Sequence, residues 1–347
     1  LSLPAAAAEF ATPGGPEPGG VDEVMGALRK DPYDLELLIS FGTSKGGSAG
    51  HLALAIRDQA PGDDLVYSAN FYADREPGHE GRYNGELMVR VPKKEYLYGT
   101  ISSLGDKASF GLDFGEAYKR SVIGIRVYGV PAREKEALAA FFARVNDDYR
   151  SRASWTQYHE GETRYGYLTL NCAKTIGAGF RYGAGYDGLE VKSAWPLDRI
   201  RAVAALAANI PTEMALKLAS EWNARGYAMD TVLYRKYEGS PYVDPHEEEK
   251  VAFRDLTDRF PSVLSRDFRR EEGQYEDYDN LFAMYLFYNL GRYGVRVDAE
   301  SRRLVVESSK DPLPYPQAAE LAALAAQSDS DGYRRRAAFR PKGMRVG

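Results

Sequence analysis

Two short alternating apolar segments, joined by a turn-like sequence, commit the first half of this chain to an antiparallel β-sheet. The segments are His51–Arg57 and Leu65–Tyr72, and the stretch between them contains Pro61 and Gly62. Apolar residues at every second position are typical of a strand with one buried face, and a Pro-Gly pair favours a turn. The sequence therefore predicts a β-hairpin at this point.

Neighbouring segments extend the pattern. Further strands are predicted over Tyr33–Phe41, Glu86–Pro92 and Val122–Val130. Between Pro131 and Tyr149 the spacing becomes helical, with four apolar residues on one face: Leu138, Phe141, Phe142 and Val145. We predict an α+β domain over residues 21–190, in which an antiparallel sheet packs on helices.

The second half has a different pattern. From Trp195 onward we predict a mainly helical region, residues 191–330, which is either a separate domain or wraps the first half. Its predicted elements are helices at Leu197–Ala208, Thr212–Arg225 and Pro316–Gln327, a helix or buried strand at Asn280–Leu290, and a strand at Arg303–Glu307. Thr212 is the expected N-cap of the second helix, and Gly226 its stop.

Composition excludes some classes of function. The chain is 44% hydrophobic and 27% charged, as in soluble globular proteins, and no apolar run is long enough for a membrane span. A net charge of −5 argues against nucleic-acid binding, which requires a basic surface. The basic tail, residues 331–347, is expected to be disordered and to make at most a weak contact with a membrane surface.

The start of the chain is rich in Ala, Gly and Pro. We predict a flexible leader over residues 1–20, preceding a short helix at Val21–Arg29. Leu1–Glu9 resembles the end of a secretory signal peptide, because a fading apolar segment gives way to small residues. We therefore expect a periplasmic or secreted protein; the alternative is a cytosolic protein with a disordered Ala-rich start.

Cys172 is the single cysteine of the chain and the first candidate for chemistry. A strand-like segment that includes Tyr167 precedes it, and a helix-compatible run follows it. A helix N-terminus lowers the pKa of a thiol and directs free backbone N–H groups at a developing oxyanion. Asn171 is either an oxyanion donor or, with slightly better reason, the helix cap.

His51 is the candidate base, because it opens an alternating strand directly after a Gly/Ser-rich loop. The other histidines, His79, His159 and His246, lie in polar segments and are expected to be solvated. If the hairpin turn centres on Pro61–Gly62, position 51 pairs with about position 72. Three residues then share the face of His51: Ser68, Asn70 and Tyr72. Asn70 is the candidate orienter of the ring, and Ser68, Tyr72 and Tyr167 are candidate substrate contacts.

Each of these residues also has an ordinary structural interpretation. A lone cysteine is usually a small buried hydrophobe, and a lone histidine is usually structural. The Gly-rich segment Gly42–Gly50 lacks the order of a phosphate loop, and the acidic run Asp244–Glu249 fits a solvated surface better than a metal site. We expect no cofactor and no resident metal.

The order G-H-x-A-L on a strand, followed about 120 residues later by N-C-A-x-T at a strand–helix junction, resembles circularly permuted papain-fold proteins. These are relatives of the NlpC-type cell-wall peptidases. The nearest resemblance is to the periplasmic domain of Lnb-type lipoprotein N-acyltransferases, through His51, the returning strand Val66–Phe71 and Asn171-Cys172. It covers roughly residues 35–185. A second histidine of the acyltransferase pattern is replaced here by Asp63.

The resemblance implies acyl transfer through a thioester, with Cys172 as nucleophile and His51 as base. The expected activity is an exported amidase, peptidase or acyltransferase whose substrate is an envelope peptide, peptidoglycan or lipid. The alternative is a non-catalytic envelope binding protein that retains the papain-like fold and binds through tyrosine-rich grooves; the chain contains 25 tyrosines.

Overall fold

The structure is a computed structural model. It describes residues 32–40, 51–57, 64–70, 73–74, 85–98, 122–166, 169–189, 191, 211–234, 237–238, 248–250, 293–298, 300–301, 303–314, 317 and 345–346. The predicted leader, the helices at Val21–Arg29 and Leu197–Ala208, the apolar segment Asn280–Leu290 and nearly all of Pro316–Gln327 lie outside these residues.

The described residues form an α+β fold with antiparallel strand pairing. In chain order its elements are β1 (Leu35–Ser40), β2 (His51–Ile56), β3 (Leu65–Ala69), β4 (Met88–Pro92), α1 (Lys93–Tyr98), β5 (Val122–Tyr128), α2 (Ala132–Arg150), β6 (Ser154–Thr156), β7 (His159–Glu162), α3 (Cys172–Ala178), α4 (Pro211–Ala224), β8 (Ala228–Tyr234), β9 (Tyr237–Glu238), β10 (Glu248–Lys250), β11 (Tyr293–Val297), β12 (Leu304–Ser308) and β13 (Arg345–Val346). Seven of these strands form one sheet in the order β10-β8-β5-β1-β2-β3-β4.

The main sheet buries residues on both faces. We call one face the apolar face; its side chains are Leu35, Leu37, Ile39, Leu52, Leu54, Ile56, Tyr67, Ala69, Ile123, Ile125 and Val127, which join one core with residues of α2, α3 and α4. The alternate residues of the same strands point to the second face because side chains alternate along a strand. We call it the polar face; it includes Glu36, His51, Ser68, Asn70 and Arg126 beside small apolar residues.

Three helical segments cover the apolar face. α2 buries the four residues that its sequence predicts, and the Phe142 ring lies 5.1 Å from the Tyr67 ring of β3. α3 continues as a π-helical turn, Gly179–Gly183. A Cβ on Gly179 would lie 2.7 Å from the Phe142 ring, so glycine allows this close approach of α2. Burial of each large apolar side chain of this core stabilises the folded state by about 1.5–3 kcal/mol.

One end of the polar face holds a buried charged cluster. Its members are Tyr33, Glu36, Asp64, Lys93 and Arg126. Lys93 donates hydrogen bonds to Glu36 and to the Tyr33 hydroxyl, Tyr33 donates to Asp64, and Arg126 Nε lies 3.5 Å from Glu36 Oε2. Burial lowers the pKa of Lys93 despite the neighbouring Glu36, and burial with the nearby carboxylates raises the pKa of Tyr33. The charges are compensated within the cluster, as burial requires.

The second half differs from its prediction. β8, which the sequence pattern does not predict, pairs with β5 along its whole length, so the region after 191 supplies strands to the main sheet. α4 begins at Pro211, which places Thr212 inside the helix and makes its assignment as the N-cap wrong; proline suits the first helical position. The stop is confirmed, because the helix ends before Gly226, whose φ is +77°. In the predicted disordered tail, β13 pairs with β9.

Candidate functional site

Cys172 is the first residue of α3, as predicted, but Leu170 before it forms an isolated bridge with Gly166 rather than part of a strand. Asn171 is the N-cap: its side-chain oxygen accepts a hydrogen bond from the Lys174 backbone N–H at 3.0 Å. Thr175 donates to the Asn171 carbonyl from both its backbone and its hydroxyl. These bonds hold the first turn, and the positive end of the helix dipole lies at the thiol. Cys172 itself is only 5% exposed and belongs to the apolar core.

His51 opens β2 and is buried, with 3% of its surface exposed. Its Nε2 lies 2.6 Å from Ser68 Oγ on the neighbouring strand β3. When Nε2–H donates to Ser68, the lone pair lies on Nδ1, because a hydrogen bond at one ring nitrogen selects the tautomer. Nδ1 is then the nitrogen that accepts a proton in a general-base reaction.

The register of the hairpin differs from its prediction by two residues. Ala53 pairs with Ser68, and continuing this register places position 51 opposite position 70 rather than 72. A shift of two residues preserves the face, and Ser68 and Asn70 therefore share the polar face with His51 as expected. Ser68, predicted as a substrate contact, is hydrogen-bonded to the ring. The Asn70 amide donates to the Glu86 carbonyl at 3.1 Å.

The helix that begins at Cys172 packs against the strand that begins at His51. Leu52 and Leu54 of β2 share the apolar core with Cys172, whereas alternation directs the His51 side chain to the polar face. The two residues therefore start on opposite sides of the sheet: Cys172 lies on a helix that packs on the apolar face, and His51 lies on the polar face.

His159 and Lys174 are buried, which sequence reasoning did not anticipate. His159 is 7% exposed, so the prediction that it is solvated is wrong; its Nε2 donates to the Glu162 carbonyl at 3.2 Å. Burial lowers the pKa of His159, and the charge of Lys174 lowers it further. Burial lowers the pKa of Lys174 to about 8. The charge of Lys174, in the first turn of α3, thus acts on the His159 ring, a proximity between segments that local polarity does not reveal.

The remaining candidates lie outside the described residues. These are Tyr72, Tyr167, His79 and His246. Among the residues that the structure describes, no three His, Cys, Asp or Glu side chains are grouped as metal ligands. None of the helices in the described residues has both the length and the apolar character that crossing a membrane requires.

Comparison with family models, with curated proteins and with solved structures gives no match for this chain.

Proposed function

We propose that this protein is a thiol enzyme of the permuted papain fold, with Cys172 as its nucleophile and His51 as its base. The observation that carries the proposal is the placement of the cysteine at the first residue of α3, on a helix that packs against the strand opened by His51. The hydrogen bond between His51 and Ser68 supports a defined tautomer for the ring.

The reaction follows from these groups. His51 Nδ1 takes the thiol proton, and the thiolate attacks the carbonyl carbon of an amide or ester to form a thioester. The leaving amine or alcohol receives the proton from His51. Water or an amine then attacks the thioester, gives its proton to His51 and releases the thiol. The candidate oxyanion donors are backbone N–H groups of the first turn of α3 and the side-chain NH₂ of Asn171, whose oxygen is the helix cap.

We place this activity at the bacterial envelope, in the periplasm or outside the cell. The Ala-rich start and the resemblance of the G-H-x-A-L and N-C-A-x-T motifs to envelope enzymes support this placement. Candidate substrates are envelope peptides, peptidoglycan amides and acyl lipids. Hydrolase and acyltransferase differ only in the acceptor, water or an amine.

A non-catalytic binding protein with this fold is the second candidate. One observation favours it: Cys172, on the helix α3, is buried in the core on the apolar side of the sheet, whereas His51 lies on the polar face. A general base must come within hydrogen-bond reach of the proton that it removes. The two candidates therefore differ in whether the two side chains are functionally coupled.

Alkylation of native protein tests this coupling. Because the chain has one cysteine, the intact mass after iodoacetamide treatment reports Cys172 alone. A thiol coupled to His51 labels at pH 6 at least tenfold faster than a small-molecule thiol of ordinary acidity, and His51→Gln abolishes this advantage. Labelling of the wild type that rises only above pH 8, and equally in His51→Gln, would sink the dyad.

His159→Gln is the matched control, because His159 is also a buried histidine. It should leave the labelling profile unchanged; loss of the low-pH reactivity in this variant alone would show that His51 is not the base. A second measurement detects the thioester: treatment with p-nitrophenyl octanoate should add one acyl group to the wild type and none to Cys172→Ser. Circular dichroism establishes that each variant is folded.

A further inference from the structure

The β6–β7 hairpin presents an exposed tryptophan. Trp155 is 79% exposed, and among the described residues it is the one large apolar side chain that is exposed. The hairpin lies between α2 and the segment that leads into Asn171 and Cys172. Large aromatic side chains normally contribute to cores or interfaces, so an indole in water suggests a binding role.

The backbone at Trp155 is also unusual. Its φ is +59°, in the left-handed region that a bulky side chain rarely adopts. The strand pairing is irregular at the same place, because Glu160 and Gly161 lie opposite Trp155 alone. Bulges of this kind redirect a side chain, and strained backbone persists where the surroundings impose it, often at functional sites.

The hairpin is firmly attached to the core. Thr163 donates to the Ala153 carbonyl from both its backbone N–H and its hydroxyl, at 2.8 and 2.9 Å. The buried Tyr158 ring packs edge-to-face on Phe141 of α2 at 5.3 Å, and its hydroxyl donates to Asp148. The indole is therefore held on a rigid support, which lowers the entropic cost of binding.

The polar residues of the hairpin and its flanks indicate the class of ligand. Arg152 and Arg164 are hydrogen-bond donors, and Glu162, which lies opposite Ser154 in the hairpin, is an acceptor. The Nε atoms of the two arginines lie 3.9 and 2.7 Å from the same Glu162 oxygen, and all three side chains are solvent-accessible. A protein partner or a membrane would require a wider apolar patch than one indole. A pyranose ring requires one aromatic plane for its C–H face, together with side chains that accept and donate hydrogen bonds to its hydroxyls.

From this combination we infer that the β6–β7 hairpin is a saccharide-binding site, in which the Trp155 indole stacks on a β-linked sugar ring and Arg152, Arg164 and Glu162 bind its hydroxyls. The site is additional to the thiol chemistry and independent of it.

Calorimetric titration with two probes tests the site: a β-1,4-linked N-acetylglucosamine tetrasaccharide and cellotetraose. The wild type should bind at least one of them saturably, and Trp155→Ala should weaken binding roughly tenfold or more, as expected for loss of one stacked ring. Trp155→Phe should retain part of the affinity. Tyr182→Ala, which removes a half-buried aromatic residue outside the hairpin, should bind as the wild type does.

Trp155→Gly separates binding from folding. Glycine adopts positive φ without steric cost, so this variant should keep or raise the Tm while it loses binding. Cys172→Ala should bind the saccharide normally, so a failure of the thiol chemistry leaves this test intact. The inference is overturned if neither tetrasaccharide binds the wild type, if Trp155→Gly binds as well as the wild type, or if anionic phospholipid vesicles bind through Trp155 and the saccharides do not.

Discussion

The two faces of the main sheet are built from the same strands but stabilised by different forces. The apolar face packs Leu, Ile and Val residues against α2, α3 and α4. The polar face buries four polar or ionisable side chains around Glu36 and, toward the other end of the sheet, the pair His51 and Ser68. Apolar packing tolerates change in proportion to the volume lost, whereas a buried charge depends on each specific partner.

This difference bears directly on the candidate site. Cys172 belongs to the apolar face and His51 to the polar face. A thiol enzyme requires the side chains of Cys172 and His51 to come within hydrogen-bond reach, whereas a binding protein does not. Mutations on each face therefore test both the stability of the sheet and the environment of each candidate residue.

The largest expected effect is on the polar face. Glu36→Gln removes the carboxylate that Lys93 and Arg126 share, so two cations remain buried without it. We expect the free energy of unfolding to fall by about 3–5 kcal/mol in urea denaturation. The exposed Glu136→Gln on α2 is the matched control and should change it by less than about 0.5 kcal/mol. A small effect of Glu36→Gln would show that the cluster is solvated.

On the apolar face the expected effect depends on cavity volume. Leu54→Ala on β2 removes a fully buried side chain beside α3 and should cost about 2–5 kcal/mol in the same measurement. Leu54→Met, which conserves volume, should cost less than about 1.5 kcal/mol. If the alanine variant were as stable as the methionine variant, the helices would not be packed on this face.

A smaller effect is expected at the start of α3. Asn171→Ala removes the acceptor for the Lys174 N–H and should lower the free energy of unfolding by about 1 kcal/mol. Asn171→Asp retains the acceptor and places a negative charge at the helix start, so it should preserve stability. Equal losses in the two variants would indicate that the amide NH₂, rather than the cap oxygen, makes the essential contact.

The smallest effect is a pH dependence of stability that arises from Tyr227, a tyrosine hydrogen-bonded to Glu134. Glu134 accepts hydrogen bonds from Tyr186 and Tyr227 at 2.8 and 2.6 Å. Burial and the bond to Glu134 raise the pKa of Tyr227 to about 12. The folded state thus holds this proton more tightly, so its contribution to stability is complete below about pH 10, the ordinary value for tyrosine, and is lost as the pH rises through 12.

Thermal unfolding between pH 8 and pH 12 measures this loss. The Tm of the wild type should decline above pH 10, and Tyr227→Phe should flatten part of the decline. Tyr182→Phe, at a half-buried tyrosine elsewhere, is the control and should leave the profile unchanged. A wild-type profile that is flat to pH 12 would contradict the proton linkage.

Local pattern was sufficient for β1 to β5, α2 and α3, whereas α1, β6 and β7 of the first half were not predicted. The hairpin and the buried face of α2 followed from apolar spacing alone, since periods of two and 3.6 residues are local properties. Asn171 as the cap and Gly226 as the stop also followed, because capping involves residues within one turn. The sequence did not predict β8, because this short segment becomes a strand only by pairing with β5, which lies about 100 residues earlier in the chain.

The sequence by itself determined that His51 shares a face with Ser68 and Asn70, because a register error of two residues leaves the alternation intact. It also determined that Cys172 begins a helix. Only the tertiary structure decided which face of the sheet α3 covers, that His159 and Lys174 are buried together, and that Trp155 stands in solvent. Each of these depends on how distant segments pack, and packing is set by the shape and volume of the whole core rather than by any local spacing.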